Sequence, residues 1–349
     1  MCKKVYFINR IPINGCSYVR TYLPQLLNNF NGCAINMCEI KDKDTAAHEC
    51  FNSDVIVFYR PTTDTEYELA KLLKKSGKKI VFDNDDTYKA ESPVSLFMKK
   101  NYQKENDEKV KKFCELADLI SVSTEELKKE YERELPDKKV VVLENCMYKE
   151  HFPLEIEKND TNKIRVGLVG SCIFNTEWQI IEPLIKDILK DNKHKLVVFG
   201  MSKNTKTKCF DDIIDKLMSF GDVEINDGVA ISEYYQRLNE LKLDYLLIPR
   251  EENYFNYCKS NIKFLEAGML EIPCIVSSFK NNNSPYDKLP DDVCLKCKTL
   301  DDWYNAVKVL DDKKTRIKYG KAARKYVLDN YNIEKRYKEW RDAYNKLFK

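Results

Sequence analysis

A group of charged residues follows a short apolar run at residues 245–248, and that run predicts a β-strand. Arg250, Lys259 and Lys263 surround Ser260, a residue type that caps the amino terminus of a helix. Such a terminus presents free N–H groups and a positive dipole end, so it favours phosphate. A diphosphate leaving group needs neighbouring positive charge, because negative charge builds on it as its bond breaks. These residue types therefore predict a phosphate or diphosphate site after the strand.

Glu266 lies two helical turns farther along the same segment. A carboxylate accepts hydrogen bonds from ribose or sugar hydroxyls, which would suit a nucleotide or sugar ligand. The spacing fits a second interpretation equally well, in which Lys263 and Glu266 form a solvated ion pair three residues apart on one helix. Spacing alone leaves both interpretations open.

A second acidic group, formed by Asp83, Asp85 and Asp86, follows a predicted strand at residues 79–82. Its carboxylates can bind a hard cation, bind an acceptor substrate or hold a loop. Near the amino terminus, Gly15 either lets the backbone approach a diphosphate closely or is an ordinary turn glycine. None of these alternatives is decided by the residues themselves.

The histidines and cysteines do not form a metal-binding pattern. His48, His151 and His194 stand in no catalytic arrangement, and we expect them on the surface or in loops. The one Cys-x-x-Cys pair, at Cys294 and Cys297, lacks the second pair that a tetrahedral structural zinc site requires. We therefore predict no zinc site.

Short β-rich runs alternate with helical patterns, which is typical of parallel sheets with crossover helices. Six runs lie in the first half of the chain and six in the second, so we predict two similar α/β domains with a cleft between them. The predicted strands are residues 5–8, 35–40, 55–59, 79–82, 119–122 and 140–143, followed by residues 164–169, 196–199, 223–225, 245–248, 274–276 and 293–295.

Local signals indicate where helices begin. Pro24 is tolerated only in a first helical turn, so we expect a helix from Thr21 or Tyr22 and a loop over residues 11–20. Two capping pairs are predicted, Ser123 with Glu126 and Thr299 with Asp302. A carboxyl-terminal apolar stripe favours packing over membrane binding because acidic residues are interleaved with it. It contains Ile333, Tyr337, Trp340, Tyr344 and Leu347.

The composition indicates a folded protein of two domains, since 349 residues exceed the usual length of one. The 59 Lys and Arg nearly balance the 56 Asp and Glu, so a net charge of +3 gives no reason to expect nucleic acid. The amino terminus lacks the apolar core of a signal peptide. The 13 cysteines then indicate reduced thiols in a cytoplasmic protein.

Five segments together resemble GT-B glycosyltransferases, and specifically family 4, the group 1 glycosyl transferases. Residues 249–268, continuing through residues 270–278 to Tyr286, resemble the donor site, with its lysine–serine, lysine, glutamate and glycine–hydrophobic–proline pattern. The others resemble a loop facing the donor phosphates, an Asp-rich strand end, the strand-to-helix turn after it, and the first strand and glycine turn of the second domain. They are residues 14–20, 81–87, 117–124 and 164–171.

The resemblance implies an α/β fold of two Rossmann-like domains facing a cleft, with a carboxyl-terminal helix crossing back to the first domain. Residues 1–155 would form the acceptor-side domain, residues 156–325 the nucleotide-sugar-binding domain, and residues 326–349 the helix that packs back on the first domain. It also implies hexosyl transfer with retention of anomeric configuration. Enzymes of this type work without a metal, so the resemblance implies no cofactor beyond the nucleotide-sugar substrate.

The implied site residues fall into three groups. The catalytic candidates are Arg250, Lys259 and Glu266. The donor-binding candidates are Gly15, Gly170, Ser171, Asn256, Ser260, Asn261 and Lys263. The acceptor-side candidates are Ser17, Arg20, Asp85 and Asp86. For the acidic group at residues 83–86, the resemblance favours acceptor binding or loop structure over a metal.

Two departures from the family pattern affect these assignments. Many relatives carry two glutamates separated by seven residues, but the position eight before Glu266 is Cys258. Some relatives place a histidine and a basic residue after the glycine turn, whereas this chain has Phe174 and Glu177. The phosphate contacts must then come from elsewhere, which favours Arg250 and Lys259.

The acceptor implied by the resemblance is a glycan, a lipid-linked molecule or a protein, and the location is the cytoplasm, including the inner face of the membrane. Membrane contact would be peripheral at most. Two alternatives share the fold, a nucleotide-sugar epimerase and a non-catalytic nucleotide-sugar-binding protein. A nucleic-acid-associated function is a further alternative, but the chain lacks the clustered basic and aromatic residues that would indicate it.

Overall fold

The structure is a computed structural model that describes residues 4–9, 13–34, 43–88, 104–170, 177–200 and 209–349. The chain divides into two compact units. Unit 1 contains Met1–Tyr148, Cys258–Ser260 and Tyr331–Lys349, and unit 2 contains Lys149–Tyr257 and Asn261–Asn330.

The described part of unit 1 is built on a six-stranded parallel sheet with the order β2-β1-β3-β4-β5-β6. Its central strands read as continuous apolar runs, because a parallel sheet covered by helices is buried on both faces. In β3, for example, all five residues of the run Val-Ile-Val-Phe-Tyr are buried. The strands are β1 (Val5–Asn9), β2 (Asn31–Ala34), β3 (Val55–Tyr59), β4 (Lys79–Asn84), β5 (Leu119–Val122) and β6 (Val140–Val142).

The described helices of unit 1 lie between these strands and at the end of the chain. They are α1 (Gly15–Ser17), α2 (Leu23–Asn28), α3 (Lys43–Phe51), α4 (Asp64–Lys75), α5 (Lys104–Leu116), α6 (Glu125–Glu134), α14 (Ile333–Arg336) and α15 (Lys338–Asn345). Short 3₁₀ turns cover Lys149–His151, at the start of unit 2, and Lys346–Phe348, in unit 1.

The first helical region begins earlier than predicted. Helix α1 starts at Gly15, a π-helical turn spans Tyr18–Tyr22, and α2 follows at once, so the predicted loop is wrong from Gly15 onward. Because a helix junction falls at Leu23, Pro24 still lies in a first turn, where its missing N–H is tolerated. The proline therefore marks a junction inside the helical region and not its beginning.

The carboxyl-terminal residues Tyr331–Lys349 belong to unit 1, which confirms the predicted crossing of the terminal helix. Trp340 is fully buried, and Tyr344 contacts the rings of Phe7 and Phe30. The Asn28 amide donates a hydrogen bond of 3.0 Å to the Tyr337 carbonyl. The apolar stripe of these helices therefore packs on β1 and α2, as the interleaved acidic residues indicated.

The described part of unit 2 contains a second six-stranded parallel sheet, with the order β12-β11-β10-β7-β8-β9. Its core lies between this sheet and helices that carry large apolar residues such as Trp178 and Trp303. The strands are β7 (Ile164–Val169), β8 (His194–Phe199), β9 (Val223–Asn226), β10 (Tyr245–Ile248), β11 (Cys274–Ser277) and β12 (Leu295–Cys297).

The described helices of unit 2 alternate with these strands, as expected for crossover connections. They are α7 (Glu182–Lys190), α8 (Cys209–Met218), α9 (Ile231–Glu240), α10 (Tyr254–Tyr257), α11 (Ile262–Met269), α12 (Leu300–Leu310) and α13 (Lys313–Asn330), with a 3₁₀ turn at Glu177–Ile181. Within the described parts of the chain, no helix combines the length and hydropathy needed to cross a bilayer.

Eleven of the twelve predicted strands coincide with observed strands to within two residues at each end. The prediction at residues 293–295 is displaced, because the last strand begins only at Leu295. The prediction at residues 35–40 lies outside the described residues, and β2 ends at Ala34. The capping pair at Thr299 and Asp302 is confirmed, whereas α6 is capped by Thr124 and not by Ser123.

His194 contradicts the expectation that the histidines lie on the surface or in loops. It begins β8 and is 1% exposed. Its Nδ1 lies 3.2 Å from an Asp191 oxygen, and its Nε2 lies 3.1 Å from an Asp311 oxygen. The two carboxylates give both ring nitrogens a partner, which is the condition for burying a histidine.

Gly320 in α13 allows this helix to approach the turn that follows α11. A methyl group added there would lie 2.1 Å from the carbonyl oxygen of Glu271. Glu271 itself has a φ of 54°, so its backbone is already in the left-handed region. The glycine is therefore required by the approach of two backbones.

We predict that Gly320→Ala destabilises the protein by about 1–3 kcal/mol, because the added methyl overpacks a contact with backbone. Helix propensity alone predicts the opposite sign, a gain of about 1 kcal/mol. Urea unfolding followed by circular dichroism measures the difference. Ala322→Gly in the same helix is the control and should cost only the propensity; a Gly320→Ala protein more stable than wild type would contradict the packing argument.

Candidate functional site

The candidate site of unit 2 lies where the strand order of its sheet reverses. The chain proceeds outward from β7 in one direction and from β10 in the other, so the switch point lies between these two strands. Open parallel sheets bind ligands at the carboxyl ends of the strands beside such a point. Gly170 directly follows β7, and Arg250 follows β10 after one proline. Two residues predicted from the sequence therefore stand at the switch point.

Arg250 is held by a buried carboxylate. Its Nη1 donates to Glu177 Oε2 over 2.7 Å, and its backbone N–H donates to Ser277 Oγ over 2.7 Å. The second oxygen of Glu177 accepts from Asn256 Nδ2 over 2.8 Å. Glu177 and Asn256 are both buried. Glu177, noted in the sequence only as a departure from the family, thus joins two of the predicted site residues.

Helix α11 places Lys263 and Glu266 together. The Lys263 ammonium lies 3.1 Å from Glu266 Oε2, so the predicted i,i+3 ion pair is present. The pair is not solvated, since the side chain of Glu266 is only 7% exposed. The hydroxyl of Tyr234 donates to the same oxygen over 3.1 Å. Burial, with the Glu266 carboxylate as a second cause, raises the pKa of Tyr234 well above its usual value, so the phenol keeps its proton.

Glycines bring backbone segments together at the carboxyl ends of β7 and β8. Gly200 has a φ of 100°, and a Cβ there would lie 3.2 Å from the carbonyl carbon of Gly170. Only glycine adopts this conformation with so little space. Ser171, the next predicted donor-binding residue, lies outside the described residues.

The corresponding switch point of unit 1 lies between β1 and β3, where strand order reverses again. Arg60 directly follows β3 and has a φ of 48°, which is uncommon for a residue other than glycine. Its Nε donates to Asp85 Oδ1 over 2.5 Å, and its Nη2 donates to Asp86 Oδ2 over 2.8 Å. The hydroxyl of Tyr59 also donates to Asp85 Oδ1, over 2.9 Å.

Lys259 belongs to the same group of unit 1 residues. Its ammonium lies 2.6 Å from Asp86 Oδ1. Ser260 beside it accepts a hydrogen bond of 2.9 Å from the amide of Asn145. The prediction that Ser260 caps the following helix is wrong, because Asn261 occupies the cap position of α11 and its side chain makes no capping hydrogen bond.

Arg20 is fully buried and paired with Asp83. Its Nη2 and Nε donate to the two Asp83 oxygens over 2.7 and 3.0 Å, and its Nη1 donates to Asn145 Oδ1 over 3.2 Å and to the Leu143 carbonyl. Ser121 donates a further hydrogen bond of 2.6 Å to Asp83. These contacts show Arg20 and Asp83 as a structural pair in the interior of unit 1.

Gly15 and Ser17 lie in the short helix α1. Ser17 forms a capping box with Asn14, in which each side chain accepts a hydrogen bond from the backbone of the other. Gly15 is the first residue of the helix, and a Cβ there would meet no atom within 4 Å. The geometry of unit 1 therefore leaves room around Gly15, while the Ser17 hydroxyl already has partners.

The charges of unit 1 set the protonation of their neighbours. Burial acts to raise the pKa of Asp85, but the guanidinium groups of Arg60 and Arg20 outweigh it and lower that pKa below its usual value. The thiol of Cys16 shows the opposite effect, since burial and the Asp85 carboxylate raise its pKa to about 12. Asp85 is therefore ionised near neutral pH, and Cys16 stays a thiol.

The acidic group at the end of β4 is occupied by protein cations. Asp83 binds Arg20, while Asp85 and Asp86 bind Arg60. In the residues that the structure describes, no group of three or more His, Cys, Asp or Glu side chains could hold a metal ion. These contacts explain the cluster as charge pairing within unit 1.

Comparison with known proteins identifies the fold. No family model matches the sequence, and no curated protein matches it. Sucrose-phosphate synthase from Thermosynechococcus elongatus is similar over 99% of this chain and 99% of its own, with a TM-score of 0.68 and 12% identity. HepE from Anabaena, solved with UDP and glucose, is similar over 98% of this chain and 99% of its own, with a TM-score of 0.66 and 9% identity.

The chain has the GT-B fold. A proposed UDP-N-acetylglucosamine 2-epimerase from Listeria monocytogenes has the same fold and is similar over 100% of this chain and 97% of its own, with a TM-score of 0.60 and 13% identity. Identities this low establish architecture only. The function must therefore be argued from the site.

Three residues of these sites, Arg60, Tyr234 and Gly200, were not predicted from the sequence. Arg60 could have been found, because it follows an apolar strand in the same way that Arg250 follows β10. Tyr234 gave no signal, since its partner Glu266 is 32 residues away on another helix. Gly200 follows a predicted strand directly, and this position indicates a turn. It gives no indication that the turn contacts another glycine.

We predict that Arg20→Met lowers the free energy of unfolding by about 3–5 kcal/mol, because it leaves Asp83 as a buried charge without its cation. Urea unfolding of the variant measures the loss. The double variant Arg20→Met with Asp83→Leu should regain part of that stability, since both charges are then absent. Lys71→Met, which breaks the exposed Lys71–Glu68 pair, is the control and should change little. Wild-type stability in Arg20→Met would exclude the structural role.

Proposed function

We propose that this protein is a glycosyltransferase that moves a hexosyl group from a nucleotide-sugar donor to an acceptor hydroxyl. One observation carries the proposal: residues suited to a diphosphate and to a sugar or ribose hydroxyl follow β10 at the switch point of a GT-B fold. Arg250 comes at the strand end, and Glu266 lies on α11, the second helix after that strand. The sucrose-phosphate synthase and HepE structures are those of GT-B glycosyltransferases, which supports the same reaction class.

Arg250 is the proposed ligand of the donor diphosphate. A guanidinium carries five N–H donors in a planar fork that matches a phosphate, and its charge, which Glu177 now pairs with, would then be shared with the diphosphate. The positive charge would stabilise the diphosphate as the glycosidic bond to it breaks. The sequence-based assignment of Lys259 to the same diphosphate stays a prediction, as does that of Gly15, Gly170, Ser171, Asn256, Ser260 and Asn261 to the donor.

The donor proposed here is a uridine diphosphate sugar, because HepE was solved with UDP. Retention of anomeric configuration and independence of metal rest on the resemblance to family 4. The acceptor is a glycan, a lipid-linked molecule or a protein, with unit 1 as its proposed side through Asp85 and Asp86. We place the protein in the cytoplasm, with peripheral membrane contact at most and no nucleic-acid partner.

A nucleotide-sugar epimerase is the second candidate, because the Listeria monocytogenes structure has the same fold. Both candidates would bind a nucleotide sugar through the same chemistry. They differ in what becomes of the sugar, since an epimerase returns it on the nucleotide without any acceptor. Product analysis therefore separates the two functions.

We predict that Arg250→Gln weakens UDP binding by about tenfold or more, since a hydrogen bond to a charged group contributes about 1.5–3 kcal/mol. Uridine, which lacks phosphates, should lose no affinity. Lys259→Ala should behave in the same way if Lys259 also contacts the diphosphate. Isothermal titration calorimetry with UDP and uridine measures both effects.

Two controls accompany this experiment. The double variant Arg250→Gln with Glu177→Gln removes the buried Glu177 charge that the single change would leave unpaired. Lys186→Gln removes a cation of the same unit that pairs with Glu182 on the surface, and it should bind UDP as wild type does. Unchanged UDP binding in both Arg250 variants would remove Arg250 from the site.

We predict that UDP-sugar is consumed with release of UDP and that an acceptor raises this rate. The sugar of the remaining donor should keep its configuration, and EDTA should leave the rate unchanged because protein cations replace a metal. Chromatography of the nucleotide pool measures both products. A second nucleotide sugar formed without acceptor would favour the epimerase, and loss of turnover in EDTA would contradict the metal-independent mechanism.

A further inference from the structure

The two oxygens of Glu266 have different surroundings. Oε2 accepts hydrogen bonds from Lys263 Nζ and from the Tyr234 hydroxyl, each over 3.1 Å. No residue in the described parts of the chain donates to Oε1. Most of the carboxylate is buried, but Oε1 is not among the enclosed atoms of the described residues, so water or a ligand hydroxyl can donate to it. One oxygen is thus committed to the protein, and the other is left for a ligand.

Tyr234 is held in place by the interior of unit 2. It lies on α9, and its ring stacks on Phe199, the last residue of β8, with 5.4 Å between centroids and 15° between planes. Phe199 is buried and Tyr234 is half-buried, so a turn of the Tyr234 ring would break its stack on a fixed partner. The phenol oxygen is therefore presented at a defined position.

The hydroxyl of Tyr234 also links the two members of the ion pair. It accepts a hydrogen bond of 3.3 Å from Lys263 Nζ and donates one to Glu266 Oε2. Hydrogen bonds in such a chain polarise and strengthen one another. Lys263 further lies over the Tyr234 ring, with its Nζ 5.5 Å from the centroid. These contacts fix the rotation of the Glu266 carboxylate.

We propose that Tyr234 is a positioning residue that orients Glu266 so that Oε1 accepts a hydrogen bond from a hydroxyl of the bound ligand. The inference rests on the proposed function and deepens it by naming what determines the geometry of the hydroxyl contact. The ligand group is a neutral hydroxyl, because a carboxylate repels phosphate and accepts hydrogen bonds from O–H donors. The proposed function gives Glu266 a sugar or ribose hydroxyl, and we take the ribose hydroxyl as the one bound.

The experiment compares UDP with 2′-deoxy-UDP and 3′-deoxy-UDP in wild type and in Tyr234→Phe. The substitution keeps the ring that stacks on Phe199 and removes only the hydroxyl. Isothermal titration calorimetry gives the ratio of dissociation constants for the deoxy and parent nucleotides. Where UDP itself does not bind, GDP and ADP with their deoxy forms take its place.

A matched control is available in the same unit. The hydroxyl of Tyr304 donates a hydrogen bond of 2.6 Å to Asp187 on the surface, so Tyr304→Phe breaks the same type of bond away from the site. Glu266→Gln tests the hydroxyl contact directly, because it keeps the shape of the side chain and removes the charge of the acceptor. Thermal unfolding of each free variant checks that it folds.

We expect wild type to prefer UDP over at least one deoxy form by about tenfold, since the lost bond is to a charged acceptor. Tyr234→Phe should reduce this preference by about threefold or more while its affinity for that deoxy form stays within about twofold of wild type. Glu266→Gln should reduce it also, and Tyr304→Phe should not.

Other outcomes overturn the proposal in distinguishable ways. If Tyr234→Phe weakens the parent and deoxy nucleotides equally, its role is structural. If the preference is unchanged, Tyr234 does not orient Glu266. If wild type binds UDP without preferring it to the deoxy forms, the ribose is not the group that Glu266 contacts. If wild type binds none of UDP, GDP and ADP, the proposed function itself fails.

Discussion

Charge buried at the edge of a parallel sheet must be paired, and this constraint governs both units of the protein. Burial in a medium of low polarity penalises an isolated charge, so each carboxylate at the strand ends has a cation or hydrogen-bond donors beside it. Asp83 has Arg20, Glu177 has Arg250 and Glu266 has Lys263. The pairs differ in exposure, from 0% and 1% for Arg20 and Asp83 to 20% and 7% for Lys263 and Glu266.

Arg20 and Asp83 form the most deeply buried of these three pairs. Every nitrogen of the Arg20 guanidinium has a protein acceptor, and both side chains are almost inaccessible to solvent. Such a pair ties α1 and its π-helical extension to β4 and to the end of β6. It stabilises the position of the loop ends around it, but it has no capacity left for a substrate.

The pairs at the switch point of unit 2 are of a different kind. The Arg250 side chain is 14% exposed and not fully enclosed, and Glu266 retains an oxygen to which no described residue donates. An anionic ligand would share Arg250 with Glu177, so the internal carboxylate sets how strongly the phosphate is held.

The sequence by itself determined the two parallel sheets, because continuous β-rich runs between helical patterns admit few other arrangements, and β3, β5, β7 and β10 were predicted to the residue. It also determined that Arg250 and Glu266 lie after a strand end, since that follows from chain order. Only the tertiary structure decided which charges meet. Glu177, Tyr234 and Arg60 reach their partners across 73, 32 and 25 residues of chain, and local spacing carries no information about such contacts.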